Sequence, residues 1–314
     1  MAQITAALVK ELRDKTSAGM MDCKKALNEN NGDMEAAIDW LRKKGIAKAD
    51  KKAGRVAAEG LVAVATAGTT AALVEVNSET DFVARNDGFQ AAVSEIASLA
   101  LTVDNGEALA AAKTSTGDDV TEYLKKLVGK IGENMSFRRM QRLSVESGVV
   151  TGYMHNSVAP GMGKIGVLVA LESTGDTAKL EELAKKIAMH VAATSPLALT
   201  VEDLDQAMVN KEREMLKAEA IESGKPEAIV DKMVEGRMQK FFKESVLMTQ
   251  IFVMDGERSI EKVIADEAAA LGADIKMTAY ARMGLGEGIE KKEEDFAAEV
   301  AAAVKDSDKD SKET

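Results

Sequence analysis

Apolar residues recur at helical spacing through the first 45 residues. Ile4, Leu8 and Leu12 fall at i, i+4 and i+8, which predicts one face of an amphipathic helix. Two further apolar faces are formed by Met20, Cys23, Ala26 and Leu27 and by Met34, Ala37, Ile38 and Leu41. Asp33 is suited to cap the third helix, and Gly45 is expected to end it. We therefore predict a three-helix N-terminal domain whose last ten residues, 46–55, form a linker or a short helix.

The period changes to that of β-strands from Gly60 onward. The segments 61–64 and 71–76 predict a hairpin that turns at Gly68-Thr69. Two amphipathic helices and a strand, 136–143, follow it. The same order then returns as a hairpin over 149–171, a helix over 180–191 and a strand over 275–282. The pattern predicts an α+β core with antiparallel strands, built from two diverged subdomains at 56–145 and 146–283.

The second subdomain contains an insertion at about 201–244. It comprises two polar helical segments, 201–222 and 226–244, separated by a turn at 223–226. Their apolar positions are sparse: Leu204, Met208, Met215, Ile229, Met233 and Met238. This pattern predicts a helical hairpin that projects from the body. The remaining module, 284–314, is expected to hold a C-terminal helix from Glu290 to Val304 and a disordered polar tail.

Composition narrows the class of protein. The 314 residues are 46% hydrophobic and 30% charged, as in soluble globular proteins, and the net charge of −11 gives no general attraction to nucleic acid or to anionic membranes. Residues 1–55 nevertheless carry a net +4. With a single cysteine, no signal-peptide pattern and no apolar run long enough to span a membrane, the chain is expected to be cytoplasmic.

Candidate groups for covalent chemistry are few. Cys23 lies on an apolar helical face and His190 on the core face of its helix, so both are interpreted as buried structural residues rather than as a catalytic pair. The remaining histidine, His155, cannot complete a metal cluster with them. No phosphate-binding glycine motif is present; the cluster Gly284 to Gly288 has the wrong spacing and predicts a loop. We therefore expect no cofactor, no metal and no nucleotide bound by the chain itself.

Two segments leave alternatives open. The basic residues Lys43, Lys44, Lys48, Lys51, Lys52 and Arg55 are either phosphate contacts or a solvated linker, and the absence of interleaved aromatics favours the linker. Thr80-Asp81-Phe82-Val83 follows a strand and precedes a helix. By pattern alone it is the start of that helix, with Thr80 or Asp81 as its cap and Phe82 packed inward.

Several blocks of the sequence closely resemble the elongation factor Ts family. The first spans Thr16 to Leu27 and the second spans Glu75 to Asn86. The others are 164–169, 188–193, 232–238 and 286–291, in the family's order and at similar spacing. The resemblance implies a ubiquitin-associated-like three-helix domain, a two-subdomain core, an inserted helical hairpin and a C-terminal helix.

The resemblance also implies a function. Members of this family bind the GTPase elongation factor Tu and promote exchange of its GDP for GTP, without covalent chemistry of their own. Thr80, Asp81, Phe82 and Val83 would act as a wedge that displaces Mg²⁺ from the partner's nucleotide site. Arg13, Met20, Met21 and His155 would be further partner contacts.

Two departures from the family pattern bear on these assignments. The turn at 156–163 looks longer than is common, which would move His155, and Ile251 stands where the family usually has proline. The sequence leaves open whether the chain acts alone, as a homodimer or in a 2:2 complex. Two other classes compete with an exchange factor: a nucleic-acid-binding protein that uses the basic N-terminal end, and an enzyme with an unrecognised carboxylate site.

Overall fold

The N-terminal residues form three helices around a small core. The computed structural model describes residues 4–16, 18–224 and 226–290. The helices are α1 (Ala6–Thr16), α2 (Met20–Glu29) and α3 (Met34–Lys52). Asp33 caps α3 by accepting the Ala36 N–H at 2.9 Å, as its position predicts. Leu12, Cys23 and Leu27 are fully buried between the helices.

The core consists of two units of three antiparallel strands. The first unit contains β1 (Glu59–Ala67), β2 (Thr70–Ser78), α4 (Asp87–Ala100), α5 (Gly106–Ala111), α6 (Val120–Ile131) and β3 (Met135–Ser144). The second contains β4 (Gly148–Ala159), β5 (Met162–Glu172), α7 (Thr177–Thr194), α8 (Gln206–Glu222), α9 (Glu227–Ser245), α10 (Ile260–Leu271) and β6 (Lys276–Gly284). In each unit the second strand of the hairpin is central and pairs with the last strand. The predicted α+β class is confirmed; the domain boundaries stay a prediction.

The two sets of strands pack face to face and join at one corner. Two residue pairs, Val62 with Gly163 and Ala63 with Met162, connect β1 to β5 and make one six-stranded sheet. Along each strand, successive side chains point alternately to the core under the helices and to the core between the two sets of strands. On β2, Val74 packs under α4 and α6, whereas Leu73 packs against the second set of strands. On β5, Val169 packs under α7 and α10. The order of layers is helices, strands, strands, helices.

Glycines allow the two sets of strands to approach closely. A Cβ atom on Gly166 of β5 would lie 2.5 Å from Leu73 Cδ2, and one on Gly152 of β4 would lie 2.3 Å from Val64 Cγ2. Both distances are shorter than non-bonded carbons tolerate. Residues larger than glycine would therefore separate the strands.

The prediction that Gly45 ends the third helix is wrong. Helix α3 continues to Lys52, through most of the expected linker. Gly45 and Gly129 lie where α3 crosses α6, and a Cβ on Gly129 would be 3.0 Å from Gly45 Cα. Gly45 and Gly129 allow α3 and α6 to cross this closely. The contact between the two helices compensates for the low helix propensity of glycine at position 45.

The inserted hairpin differs in detail from its prediction. Helix α8 begins at Gln206 because Asp205 caps it, accepting the Ala207 N–H at 2.9 Å; residues Val201–Asp203 form a 3₁₀ turn. Met208, Met215 and Ile229 are exposed rather than part of the seam. The seam is made by Val209, Ala220, Val230, Val234 and Met238. The predicted C-terminal helix and tail lie outside the described residues, apart from Glu290.

A buried carboxylate ties the first unit to the loop after β6. Glu75, fully buried on β2, accepts hydrogen bonds from Arg138 at 2.9 Å, Arg139 at 2.5 Å, Asn77 at 3.0 Å and the Gly286 N–H at 2.8 Å. Burial by itself would raise the pKa of Glu75, but the hydrogen bonds, led by that from Gly286, outweigh it and lower the pKa. Glu75 is therefore ionised at neutral pH and links distant parts of the chain.

We expect Gly129→Val to lower the free energy of unfolding by about 1–3 kcal/mol, because the side chain must push α3 away from α6. Gly236→Val is the matched control, since Gly236 lies in a helix with nothing within 4 Å of its Cβ position. Urea unfolding of both variants measures the difference. Equal midpoints for the two variants would show that the glycine crossing is not required.

We expect Glu75→Gln to lower the free energy of unfolding by about 3 kcal/mol at pH 7, because Arg138 and Arg139 lose their charged partner. Since the folded-state pKa is lowered from 4.5, the stabilisation is complete above that pH and is lost as the pH falls through the folded-state value. The difference between wild type and variant should therefore shrink between pH 7 and strongly acidic pH. A difference that is independent of pH in urea titrations would contradict this assignment.

Candidate functional site

The loop between β2 and α4 presents an exposed aromatic side chain. Phe82 is 77% exposed, whereas the next two residues, Val83 and Ala84, are 4% and 7% exposed. Asp81 is also exposed. The prediction from pattern alone that Phe82 packs inward is therefore wrong, because Val83 takes that place in the core. We call Asp81-Phe82 the tip.

Thr80 is bound to a distant carboxylate rather than capping a helix. Its N–H donates to Glu133 Oε2 at 3.0 Å, and its hydroxyl donates to Glu133 Oε1 at 2.8 Å. Its carbonyl accepts the Ser78 hydroxyl at 2.9 Å. The predicted cap at Thr80 or Asp81 is thus corrected: the cap of α4 is Asn86, whose Oδ1 accepts the Phe89 N–H at 3.1 Å.

Glu79 holds the side of the loop that follows β2, which is the side that Glu133 also binds. Its carboxylate accepts the Asn134 N–H at 2.5 Å and one Arg55 N–H at 3.2 Å. The Asn134 side chain in turn donates to the Arg55 carbonyl at 2.8 Å. The end of β2, the residues before β1 and the connection from α6 to β3 are therefore fixed to one another.

The other side of the loop is held by packing. Val83–Arg85 forms a 3₁₀ turn, and Val83 and Ala84 belong to the core under α4 and α6. The Gln90 side chain donates to the Ala84 carbonyl at 2.8 Å. Phe89, fully buried in the first turn of α4, completes this side. With both sides fixed, the tip is preorganised to present one ring and one carboxylate to another molecule.

The predicted N-terminal contacts are exposed on their helices. Arg13 is exposed on α1, and Met20 and Met21 are 46% and 77% exposed at the start of α2. The pattern placed Met20 on the apolar face of α2, but it is the first residue of the helix and does not belong to the N-terminal core. Within the described residues, no hydrogen bond or ion pair joins these three to the tip.

His155 lies on β4, far along the chain from the tip. It pairs with Ile165 of β5, its side chain is exposed, and its Nδ1 lies 3.1 Å from the Tyr153 hydroxyl. The expected long turn at 156–163 is wrong. The strands continue to Ala159 and from Met162, with a bulge between Ser157 and Ala159, so only two residues turn.

His190 is a satisfied structural histidine, as its position predicts. It is fully buried, with Nε2 2.9 Å from Gln250 Oε1, while Nδ1 accepts the Val253 N–H at 3.3 Å. Burial lowers the pKa of His190, and the Gln250 contact opposes this only in part. Phe252 packs on its ring at a centroid distance of 6.0 Å. Cys23 is buried in the N-terminal core, in a different cluster.

In the part of the chain that the structure describes, no group of three or more His, Cys, Asp or Glu side chains is arranged to hold a metal ion. No described helix is both long enough and apolar enough to cross a bilayer. Of the basic segment, Lys44 pairs with Asp22 at 2.7 Å and Arg55 with Glu79, so these two cations already have partners.

Several residues that shape the site were missed by sequence reasoning. Glu133, Asn134 and Gln90 act on the loop from other elements, and Glu133 is 53 positions from Thr80. A signal for the true cap existed, since Asn86 precedes the apolar run of α4 at the usual spacing. No local pattern could have indicated Glu133.

The fold and the loop define an α+β protein that presents a rigid acidic and aromatic tip. Comparisons with known proteins identify the family within this class. The family model described as elongation factor TS matches residues 79–287. The elongation factor Ts of Caulobacter vibrioides is 58% identical over 307 residues, covering 96% of this chain and 98% of that protein. That of Rhodospirillum centenum is 60% identical, covering 96% and 99%. The chain belongs to the elongation factor Ts family.

Because Val83 is buried and Phe82 is exposed, substitutions of these adjacent residues should differ in their effect on the free energy of unfolding. Val83→Ala should lower the free energy of unfolding by roughly 2 kcal/mol, since it removes two buried methyl groups. Phe82→Ala should change it by less than about 0.5 kcal/mol, because the ring is largely in water. Thermal and urea unfolding of both variants provide the comparison. A larger loss of stability for Phe82→Ala would mean that the ring is packed in solution.

Proposed function

We propose that the chain binds elongation factor Tu carrying GDP and promotes the exchange of GDP for GTP, with Thr80, Asp81, Phe82 and Val83 as the wedge. Membership in the elongation factor Ts family supports the exchange activity. The observation that carries the mechanism is the exposed Phe82 beside buried Val83 on a loop held at both sides. The chain would act in the cytoplasm, without a cofactor, a bound nucleotide or covalent chemistry of its own.

The proposed mechanism is electrostatic. Asp81 and Phe82 enter the GTPase domain of the partner near its Mg²⁺ site, and the ring separates side chains that support the ion. The diphosphate of GDP depends on Mg²⁺ to balance its charge, so displacing the ion weakens nucleotide binding. By thermodynamic linkage, the factor and the nucleotide must weaken each other's binding to the partner by the same factor.

A rigid tip suits this mechanism. If the loop were flexible, ordering it would consume part of the free energy of binding. Here the hydrogen bonds to Glu133 and the packing of Val83 fix the loop before binding. The contact energy of Phe82 is then available to distort the nucleotide site.

The other residues would extend the contact with the partner. Arg13, Met20 and Met21 are each exposed on the first two helices, and flexible methionine side chains adapt well to a second surface. His155, exposed on the edge strand β4, would contact another domain of the partner.

The competing classes have less support. Nucleic-acid binding would use the basic segment, in which the described structure already pairs two of the six cations, Lys44 with Asp22 and Arg55 with Glu79. A salt titration of RNA binding tests this class, because phosphate contacts give a steep dependence on salt. An enzyme would convert a substrate alone, whereas an exchange factor requires its GTPase.

We expect Phe82→Ala to slow factor-stimulated GDP release at least tenfold, equivalent to about 1.4 kcal/mol of barrier, while the protein stays folded. Ile221→Ala is a matched control, because Ile221 is an exposed aliphatic residue at the end of α8. Stopped-flow release of fluorescent GDP from elongation factor Tu gives the rates. If wild type does not accelerate release, the exchange function is wrong; if both variants match wild type, only the wedge is wrong.

A further inference from the structure

We propose that Glu133 is a positioning residue for nucleotide exchange, acting by holding Thr80 so that the tip keeps its orientation. This inference rests on the proposed function. It assigns a role to a residue outside the loop itself.

Glu133 binds the point from which the tip departs. Regular pairing of β2 ends at Ser78, which lies opposite Met135 of β3. Two residues later the Thr80 N–H would have no strand partner, and Glu133 accepts it at 3.0 Å. The same carboxylate accepts the Thr80 hydroxyl at 2.8 and 3.0 Å. Glu133 thus fixes the backbone and the side chain of the residue before Asp81.

Glu133 is itself fixed, unlike a typical surface carboxylate. It follows Gly132, which ends α6 in the left-handed conformation with φ of 90°. It precedes Asn134, whose N–H is held by Glu79 and whose side chain holds the Arg55 carbonyl. The side chain is half-buried. The contact therefore connects two anchored segments, and the position of α6 and β3 determines that of Thr80.

The chemistry of the pair explains why an acid stands here. Thr80 presents two donors on the same side, and a carboxylate offers an acceptor oxygen to each. Glutamine has the same shape but offers one acceptor and one donor. Glu133→Gln therefore replaces one of the two acceptor oxygens that face Thr80 by an NH2 group, and it also removes the charge that strengthens both hydrogen bonds. The packing of Val83 and Ala84 is unchanged, so the loop loosens only before the tip.

The direct test measures exchange kinetics with the full chain and elongation factor Tu carrying fluorescent GDP. We expect Glu133→Gln to lower the maximal exchange rate about tenfold, with KM for the partner within twofold of wild type. An interaction that matters only during displacement changes kcat rather than KM. Glu107→Gln, the same change at an exposed site on α5, should leave both constants unchanged.

A purely structural role would give a different pattern. If Glu133 acts through the tip, Glu133→Gln should add no further loss of rate to a chain that already carries Phe82→Ala. The Thr80 amide hydrogen should also exchange with solvent at least tenfold faster in Glu133→Gln than in wild type. Thr80→Val, which removes only the hydroxyl, should show an intermediate loss and provides a second variant if Glu133→Gln folds poorly.

The outcomes separate this inference from the exchange function. If wild type fails to accelerate GDP release, both are overturned. If Phe82→Ala slows release and Glu133→Gln does not, the positioning role alone is wrong. Additive losses in the double variant, or an unchanged exchange rate of the Thr80 amide, would also overturn the positioning role.

Discussion

The two sets of strands pack face to face because glycines let them approach closely. Gly152 and Gly166 leave room for Val64 and Leu73, so β1 and β2 are covered by helices on one face and by strands on the other. Strand β2 is consequently buried from Ala71 to Ser78, and even Glu75 within it is bound on all sides by donors. The loop that carries the tip leaves from the most completely enclosed strand in the described fold.

The tip combines exposure with rigidity because three separate elements hold its base. Strand β2 leads into it, the connection from α6 to β3 binds Thr80 through Glu133, and the start of α4 buries Val83. A two-residue protrusion of this kind loses little conformational freedom on binding, so its contacts can act on the partner. In the proposed mechanism, this rigidity allows the tip to lower the barrier to GDP release from the partner without covalent chemistry.

Sequence periodicity predicted the α+β class, the order of the elements and the core positions of the strands, because these depend on local alternation of polar and apolar residues. It failed where a distant contact decides the local structure. Gly45 continues α3 because Gly129 lies against it, and His155 stays on an extended β4 because the hairpin pairs almost to its turn. Phe82 was placed inward by pattern alone; only the family resemblance indicated its exposure, and no pattern indicated Glu133.

In the proposed mechanism, the tip displaces Mg²⁺ from the nucleotide site of the partner. Its most direct test is stopped-flow GDP release from elongation factor Tu with saturating wild type or Phe82→Ala, measured with Mg²⁺ and again after its removal by chelation. If the tip displaces the ion, GDP release is much faster with wild type than with the variant when Mg²⁺ is present, and the two rates converge without it. An equal ratio of the two rates under both conditions would contradict this mechanism.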